Sequence, residues 1–258
     1  MLVDAVARFN TPSALAWAGP DELVVADRKN HAVRMIRLAT KRVVTMAGNG
    51  ESGDADGLLA DARFQEPQAI AVGQWHPGLA GCVVAAKSAA NIGTECSTDG
   101  DPADTGAAAH AECAAPPRPA RVVYVADTLN NKIRVVVGDA VATLAGDGLA
   151  GLDDHAEGTC ARFNNPRGIA VDPGGTVLVG DSGNHVIRRI SEGGEVSTLA
   201  GSGQASTHTM AMRADGLGSK ATFFWPRAIC LHPGNNGYAF IADSFNENIR
   251  KVFFLARA

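Results

Sequence analysis

The chain of 258 residues is 46% hydrophobic and 19% charged, which is ordinary for a globular protein. Its net charge of −4 argues against a basic surface field that would attract nucleic acid. Its 29 glycines and 12 prolines, with only 5% aromatic residues, indicate short strands joined by many turns.

Targeting signals are not evident in the sequence. The amino-terminal segment MLVDAVARFN lacks the cationic stretch and long apolar run of a secretory signal. No window approaches the run of about 18 apolar residues that a membrane span requires. The five cysteines form no regular disulfide framework. These features favour an intracellular setting without identifying a compartment.

One polar signature recurs four times, in the stretches LVVADRKNHAVRMI, VYVADTLNNKIRVV, VLVGDSGNHVIRRI and AFIADSFNENIRKV. In each copy an Asn follows the Asp by three residues and an Arg follows it by seven. The twelve residues are Asp27, Asn30, Arg34, Asp127, Asn130, Arg134, Asp181, Asn184, Arg188, Asp243, Asn246 and Arg250.

The third copy contains GDSG, the four residues that surround the reactive serine of chymotrypsin-like proteases. The position of Ser182, however, holds Arg28 in the first copy. A position that accepts arginine is interpreted as a turn position, so Ser182 is not predicted to be a nucleophile.

Apolar stretches flank each signature in the same order. A proline-led run such as FNNPRGIAV precedes it, and a run such as VSTLAGSG follows the first three copies. Each unit therefore predicts four short antiparallel strands, although the last unit stops after its third strand, at KVFFLARA. Sheets with two apolar faces bury both by stacking on one another, which predicts a β-propeller.

The motifs P-x-x-I-A-V, V-A-D-x-x-N-x-x-I-R and T-L-A-G-x-G resemble those of the NHL-repeat family. The resemblance implies an all-β propeller of NHL-type blades, and the four visible repeats predict an open or incomplete propeller. Either an open arc or a truncated propeller accounts for four units. Pairing of Met1 to Val6 beside Val252 to Leu255 would close a four-bladed ring and contradict the open arc. The chain is expected to form a single domain, 1–258, with blades at roughly 9–63, 64–162, 163–222 and 223–258.

The second unit contains extra residues, about 73–121, that are rich in Ala, Gly and Pro. This composition predicts a disordered insertion between the first and second strands of blade two. Its role is open between a partner-binding loop and a dispensable extra. Two runs compete for the second strand, Cys82 to Ala86 and Val122 to Ala126. The later run is preferred because it leads directly into Asp127.

The repeated Asp, Asn and Arg residues are interpreted as structural. Asp and Asn side chains bond to nearby backbone N–H groups in tight turns, and an Arg can hold one blade against the next. The alternative is a ring of Asp and Arg around a central ligand. Recurrence in every blade favours the structural role, because binding sites are usually asymmetric.

Neither a calcium nor a zinc site is predicted. Three loops between blades resemble fragments of calcium loops but lack the acidic twelfth ligand and flanking helices of an EF-hand. Their carboxylates are Asp54, Asp56, Asp153, Asp154 and Asp215. A second group has only one close pair of the kind that zinc sites use. Its members are His76, Cys82, Cys96, His110 and Cys113. No cofactor and no catalytic residue is expected.

The predicted function is a non-catalytic NHL-repeat scaffold that mediates protein or peptide interaction. One alternative, implied by resemblance to propeller lyases and to gluconolactonase- or paraoxonase-like hydrolases, is a metal-dependent enzyme whose channel is lined by the repeat Asp and Asn residues. A second alternative is RNA binding through a basic stripe at Arg34, Arg189 and Lys251. No aromatic platform accompanies these bases in the sequence, so nucleic acid is not an expected partner.

Overall fold

The computed structural model describes residues 7–74, 76, 79, 121–204, 214–232, 234 and 237–254. Most of the predicted insertion at 73–121 lies outside these residues, as does the competing strand at Cys82 to Ala86. The segments that would close a four-bladed ring, Met1 to Val6 and the end of Val252 to Leu255, also lie outside them in whole or in part.

Sixteen strands form four antiparallel sheets in the described part of the chain. Sheet one contains β1 (Pro12–Gly19), β2 (Glu22–Asp27), β3 (Ala32–Arg37) and β4 (Arg42–Ala47), in that order. Sheet two has the order β5-β9-β8-β7-β6, with β5 (Gly57–Leu58), β6 (Pro67–Gln74), β7 (Arg121–Asp127), β8 (Lys132–Val137) and β9 (Ala140–Ala145). Sheet three contains β10 (Pro166–Val171), β11 (Val177–Asp181), β12 (Val186–Ile190) and β13 (Val196–Ala200). Sheet four contains β14 (Pro226–Leu231), β15 (Tyr238–Asp243) and β16 (Asn248–Phe253).

The predicted all-β propeller is therefore confirmed, with each sheet forming one blade. The proline-led runs form the innermost strands β1, β6, β10 and β14, and each repeated Asp ends the second strand of its blade. The second strand of blade two is β7, which includes the preferred run Val122 to Ala126 and pairs with β6. Within the described residues, which end at 254, blade four has three strands, as its sequence predicts. No helix in the described residues is long and apolar enough to cross a membrane.

Successive blades bury their facing surfaces against each other. Along β7, Val123 and Val125 pack toward blade one, whereas Val122 and Tyr124 pack toward blade three. Alternate residues of a strand point to opposite faces, so an uninterrupted apolar run serves two interfaces at once. Burying one such side chain contributes about 1.5–3 kcal/mol to folding. A third apolar cluster, which includes Leu178 and Ile241, joins blades three and four.

In the described residues, the outward faces of blade one and blade four do not pack against another blade. The inner strand β14 packs against β10, but within the described residues it has no comparable packing against β1. Leu15 and Trp17 on blade one and Ile249 and Phe253 on blade four remain exposed. The described part of the chain is thus an open arc of four blades, in agreement with the predicted open propeller.

The connection that leads into a blade also covers that blade's outer edge. Strand β5 belongs to the connection between blades one and two and pairs with the outermost strand β9. His155, in the next connection, pairs with Val196 of β13 in the same manner. These additions were not predicted from the sequence, and they protect outer edges that could otherwise pair with other chains.

Candidate functional site

The four repeated Asp residues occupy one common local setting. Each ends a second strand, is followed by a 3-10 turn of three residues, and has no exposed surface. Within every blade the Asn amide donates to one oxygen of the Asp carboxylate at 2.7–2.8 Å. The other oxygen accepts a backbone N–H from the segment before the inner strand, also at 2.7–2.8 Å. The carboxylate thereby ties the first strand to the turn that follows the second.

The repeated Arg completes this arrangement in three blades. Arg134, Arg188 and Arg250 donate from Nη1 to the Asp carboxylate at 3.0–3.1 Å. In blade one the Nη1 of Arg34 lies 3.9 Å from Asp27, which is beyond hydrogen-bond distance. Arg134 and Arg188 have no exposed surface, so blades two and three each bury a complete ion pair.

In blades two, three and four the same guanidinium also binds the preceding connection, whose sequence resembles a fragment of a calcium loop. Arg134 binds Asp56 and the backbone carbonyl of Ala55, and Arg188 binds Asp154 at 2.7 Å. Arg250 binds Asp215 at 2.5 Å. The repeat Arg therefore takes the place that a cation would have beside these carboxylates.

The other candidate ligands are scattered. Asp54 binds Lys132 at 3.0 Å, and Asp153 lies 3.4 Å from Arg162. Among the described residues no group of three or more His, Cys, Asp or Glu side chains could hold a metal ion. His76 lies 3.3 Å from the hydroxyl of Tyr124. Cys82, Cys96, His110 and Cys113 lie outside the described residues.

Burial is the largest influence on the pKa values of the repeated Asp residues in blades two and three. It raises the pKa of Asp127 to about 6, although Arg134 and the other donors act to lower it. Burial raises the pKa of Asp181 to about 6 in the same way, against the backbone N–H of Asn164 and the side chains of Asn184 and Arg188. Because these values exceed the ordinary 3.8, the stability that each group contributes is greatest below about pH 4 and falls as pH rises through about 6.

The GDSG serine lies in a joint between blades. Ser182 has no exposed surface, and its hydroxyl donates to the backbone carbonyl of Pro226 at 2.5 Å. Thr128 makes the equivalent bond to Pro166 at 2.8 Å. The hydroxyl thus links one blade to the inner strand of the next.

Ser182→Ala is expected to lower the free energy of unfolding by about 1–3 kcal/mol, because the buried carbonyl of Pro226 loses its donor. Scanning calorimetry of the variant measures this loss. The wild-type protein should not be labelled by a fluorophosphonate, which reacts with activated serines. Labelling of the wild type that Ser182→Ala abolishes would contradict the turn interpretation.

A cluster of arginine and aromatic side chains lies where blades three and four meet, and the sequence analysis missed it. The guanidinium of Arg167 lies 5.2 Å from the ring centroid of Trp225, and that of Arg227 lies 5.3 Å from that of Phe245. The two rings are 5.9 Å apart in an edge-on arrangement. These distances are typical of cation–π and aromatic pairs. This cluster contains none of the predicted stripe residues Arg34, Arg189 and Lys251, so it does not test the expectation made for them. At Lys251 itself that expectation is wrong, because its Nζ lies 3.7 Å from the ring centroid of Tyr238 and 4.9 Å from that of Phe253.

Trp225 is held in an unusual backbone conformation. Its φ of 54° is left-handed, as it is for Thr11, Glu66 and Asn165 at the same position in the other blades. Such an angle is costly for a bulky residue, and its recurrence in all four blades makes it a feature of the joint between blades. The backbone N–H of Trp225 donates to His185 at 3.2 Å. The signal in the sequence was the change from FNNP to FFWP, which puts a tryptophan where the other copies have small or polar residues.

The cluster is electropositive. Burial lowers the pKa of Arg167, and the positive charges of Arg227 and Arg28 lower it further, so the three guanidinium groups repel one another. Glu66 is the compensating carboxylate, and Arg28 and Lys29 already bind it. The buried Nε of Arg167 has no hydrogen-bond partner among the described residues. An unpaired donor in a field of like charges favours an anionic ligand.

Comparison with known proteins supports the same fold. Residues 163–190, which include blade three's Asp-x-x-Asn turn, match the NHL repeat family. The chain is 28% identical over 273 residues to Protein SUPPRESSOR OF QUENCHING 1, chloroplastic, of Arabidopsis thaliana, covering 95% of this chain and 25% of that protein. It is 28% identical over 195 residues to NHL repeat-containing protein 2 of Gallus gallus, covering 70% of this chain and 21% of that protein. The chain thus spans about a quarter of the length of these curated relatives.

Solved structures resemble the chain at lower identity. An auxiliary nutrient binding protein from Bacteroides ovatus superposes with a TM-score of 0.59 at 15% identity, over 96% of this chain and 49% of that one. A protein of the same description from Bacteroides thetaiotaomicron gives 0.56 at 18% identity, over 93% of this chain and 47% of that one. At these identities the likeness concerns the fold alone. The predicted resemblance to NHL-repeat β-propellers is confirmed by the repeat matched at residues 163–190, by the similarity to NHL repeat-containing protein 2 and by the propeller architecture.

Proposed function

We propose that the protein is a non-catalytic NHL-repeat scaffold, and that it binds an acidic peptide segment of a partner protein at the arginine–aromatic cluster. The cluster consists of Arg167, Trp225, Arg227 and Phe245. The observation that carries the proposal is the pairing of two guanidinium groups with two aromatic rings beside an unpartnered buried donor.

The chemistry of the cluster favours a carboxylate-bearing ligand with an apolar side chain. Arginine binds carboxylates through two parallel N–H donors, and the rings of Trp225 and Phe245 offer apolar surface. Half of the Phe245 side chain is exposed. Tryptophan and arginine are the residues that most often dominate the energy of protein–protein interfaces.

The hydrogen bonds of the repeat Asp and Asn residues favour a structural role for these residues over the metal-dependent alternative. A metal-dependent enzyme would need their oxygens to face a common channel. The Asp oxygens accept bonds from the Asn amide and a backbone N–H in all four blades, and from Arg in three. These bonds support a structural role for the Asp and Asn residues, whereas the Nε of Arg167 has no hydrogen-bond partner among the described residues.

The proposal is tested with a fluorescein-labelled peptide of alternating Glu and Phe residues. Fluorescence anisotropy should show saturable binding that weakens with added salt, because the contact is between charges near the surface. Arg167→Gln/Arg227→Gln should weaken binding about tenfold or more, since two charge-assisted contacts are lost.

A matched control is Arg42→Gln/Lys220→Gln, which removes the same charge from exposed positions away from the cluster. This control should bind as the wild type does. Equal binding by both double variants, or binding of the Lys-Phe version of the peptide, would contradict the assignment. Tighter binding of single-stranded RNA than of the acidic peptide would favour the nucleic-acid alternative instead.

A further inference from the structure

The outward faces of blade one and blade four correspond to the two kinds of blade face that meet at each internal joint. Residues that face blade one from blade two include Ile70 and Val72, which pack in the core between them. Their equivalents on blade one, three and five residues after its proline, are Leu15 and Trp17. These two side chains are 65% and 64% exposed. Blade one therefore presents the rear half of a blade-to-blade contact with nothing packed on it in the described residues.

Blade four presents the front half. Tyr124, Ile133 and Val137 face blade three from blade two and are almost completely buried. Their equivalents, counted from the repeated Asp, are Phe240, Ile249 and Phe253. These side chains are exposed by 40%, 71% and 45%. An apolar surface of this kind is rare on a monomer unless another surface covers it.

Polar groups at the two ends match in the same way. At each internal joint the residue after the repeated Asn accepts a backbone N–H from the residue before the next blade's proline. These bonds join Glu66 to His31 at 3.2 Å, Asn165 to Asn131 at 2.9 Å, and Trp225 to His185 at 3.2 Å. Donor and acceptor residues all have a left-handed φ of 50–59°.

A fourth acceptor residue lies on blade four, and a fourth donor residue lies on blade one, at the opposite end of the arc. Glu247 has the acceptor position with a φ of 55°, and Thr11 has the donor position with a φ of 51°. The inter-blade hydroxyl bond is split likewise. Ser244 stands where Thr128 and Ser182 donate, and Pro12 stands where Pro166 and Pro226 accept. Within the described residues neither half meets its counterpart.

We infer that blade four of one copy of this chain stacks on blade one of a second copy, with the same register as the internal joints. The contact places Phe240 and Ile249 against Leu15 and Trp17, and the Glu247 carboxylate at the N–H of Thr11. Because the two surfaces differ, the association is head-to-tail. Lys251 replaces the apolar Val135 in this interface, so the contact is weaker than an internal joint and depends on concentration.

The test is the oligomeric state of the chain by sedimentation equilibrium from about 1 to about 100 µM. The average mass of the wild type should rise with concentration. Leu15→Glu blocks the rear surface and Ile249→Glu blocks the front surface. Each variant alone should remain monomeric, because every head-to-tail contact needs both surfaces.

Mixing the two variants is the decisive measurement. Ile249→Glu retains an intact blade-one surface, and Leu15→Glu retains an intact blade-four surface, so one contact forms between them and none beyond it. The mixture should therefore contain dimers and nothing larger. Leu149→Glu, at a 59% exposed leucine in the connection between blades two and three, should associate as the wild type does.

Three results would overturn the inference. A wild type that stays monomeric over the whole range shows that the ends do not bind a second copy. Association of either single variant alone points to contact between like surfaces. Failure of the mixture to form dimers, while both variants keep the wild-type unfolding midpoint, excludes the head-to-tail geometry.

Discussion

Replacement of Arg134 by methionine is expected to lower the free energy of unfolding by about 3–5 kcal/mol near neutral pH. The Arg134 guanidinium is fully buried and binds Asp127, Asp56 and two backbone carbonyls. Methionine fills similar volume but leaves the buried Asp127 carboxylate without its cation. An uncompensated buried charge is one of the few causes of so large a loss.

The loss should depend on pH in a defined direction. Burial already raises the pKa of Asp127 to about 6, and removal of Arg134 takes away a group that lowers it. The folded variant therefore binds more protons than the unfolded chain well into the neutral range, so its stability rises as pH falls. The deficit relative to the wild type should be larger at about pH 7.5 than at about pH 5.

Urea unfolding of both proteins at the two pH values measures this difference. Burial lowers the pKa of His76 and His185, but these groups titrate in both proteins and cancel in the comparison. Arg162→Met is the control, because Arg162 forms partly exposed ion pairs with Asp147 and Asp153. It should cost no more than about 1 kcal/mol. A deficit in Arg134→Met that grows toward pH 5 would contradict the explanation.

Gly146→Ala is expected to cost about 2–4 kcal/mol, because the change adds both strain and overlap. Gly146 has a φ of +101°, which L-residues with a side chain rarely adopt. A Cβ built there lies 2.5 Å from the carbonyl oxygen of Asn131 and 3.0 Å from the Cα of Lys132. Both obstacles are backbone atoms in the turn that carries the repeat signature, so neither can rotate away.

Gly138→Ala separates backbone strain from overlap. Gly138 also has a positive φ, of +61°, but nothing lies within 4 Å of its added Cβ. The change should therefore cost only about 1–2 kcal/mol, the strain of a left-handed residue. Calorimetric midpoints of the two variants give the comparison. Equal losses would show that the approach of the Asn131 carbonyl does not require glycine at position 146.

Much of the architecture could be predicted because its determinants are local and repeated. The Asp, Asn and Arg of one signature lie within eight residues of each other, so their spacing alone places them in one turn. The apolar runs on either side then require partners for both faces, which only stacked sheets supply. The buried Asp–Asn contacts and the strand order agree with that reading.

The loop carboxylates and the arginine–aromatic cluster could not be predicted in the same way. Asp56 is separated from Arg134 by 78 residues, and Arg167 reaches Trp225 across a joint between blades. The spacing of Asp, Asn and Arg within one repeat does not indicate which connecting loop the Arg side chain will contact. Acidic loops that look like fragments of metal sites are consequently ambiguous until the blades are stacked.

The residue pattern alone established the repeat, the strand order within each blade and the tight polar turn, because hydrogen bonding and side-chain alternation act over a few residues. Tertiary packing decided the rest: the pairing of connecting segments with outer strands, the meeting of Arg167 and Arg227 with aromatic rings, and the exposure of apolar side chains at both ends of the arc. These features depend on how successive sheets are oriented, and that orientation follows from the summed packing of many side chains rather than from any one motif.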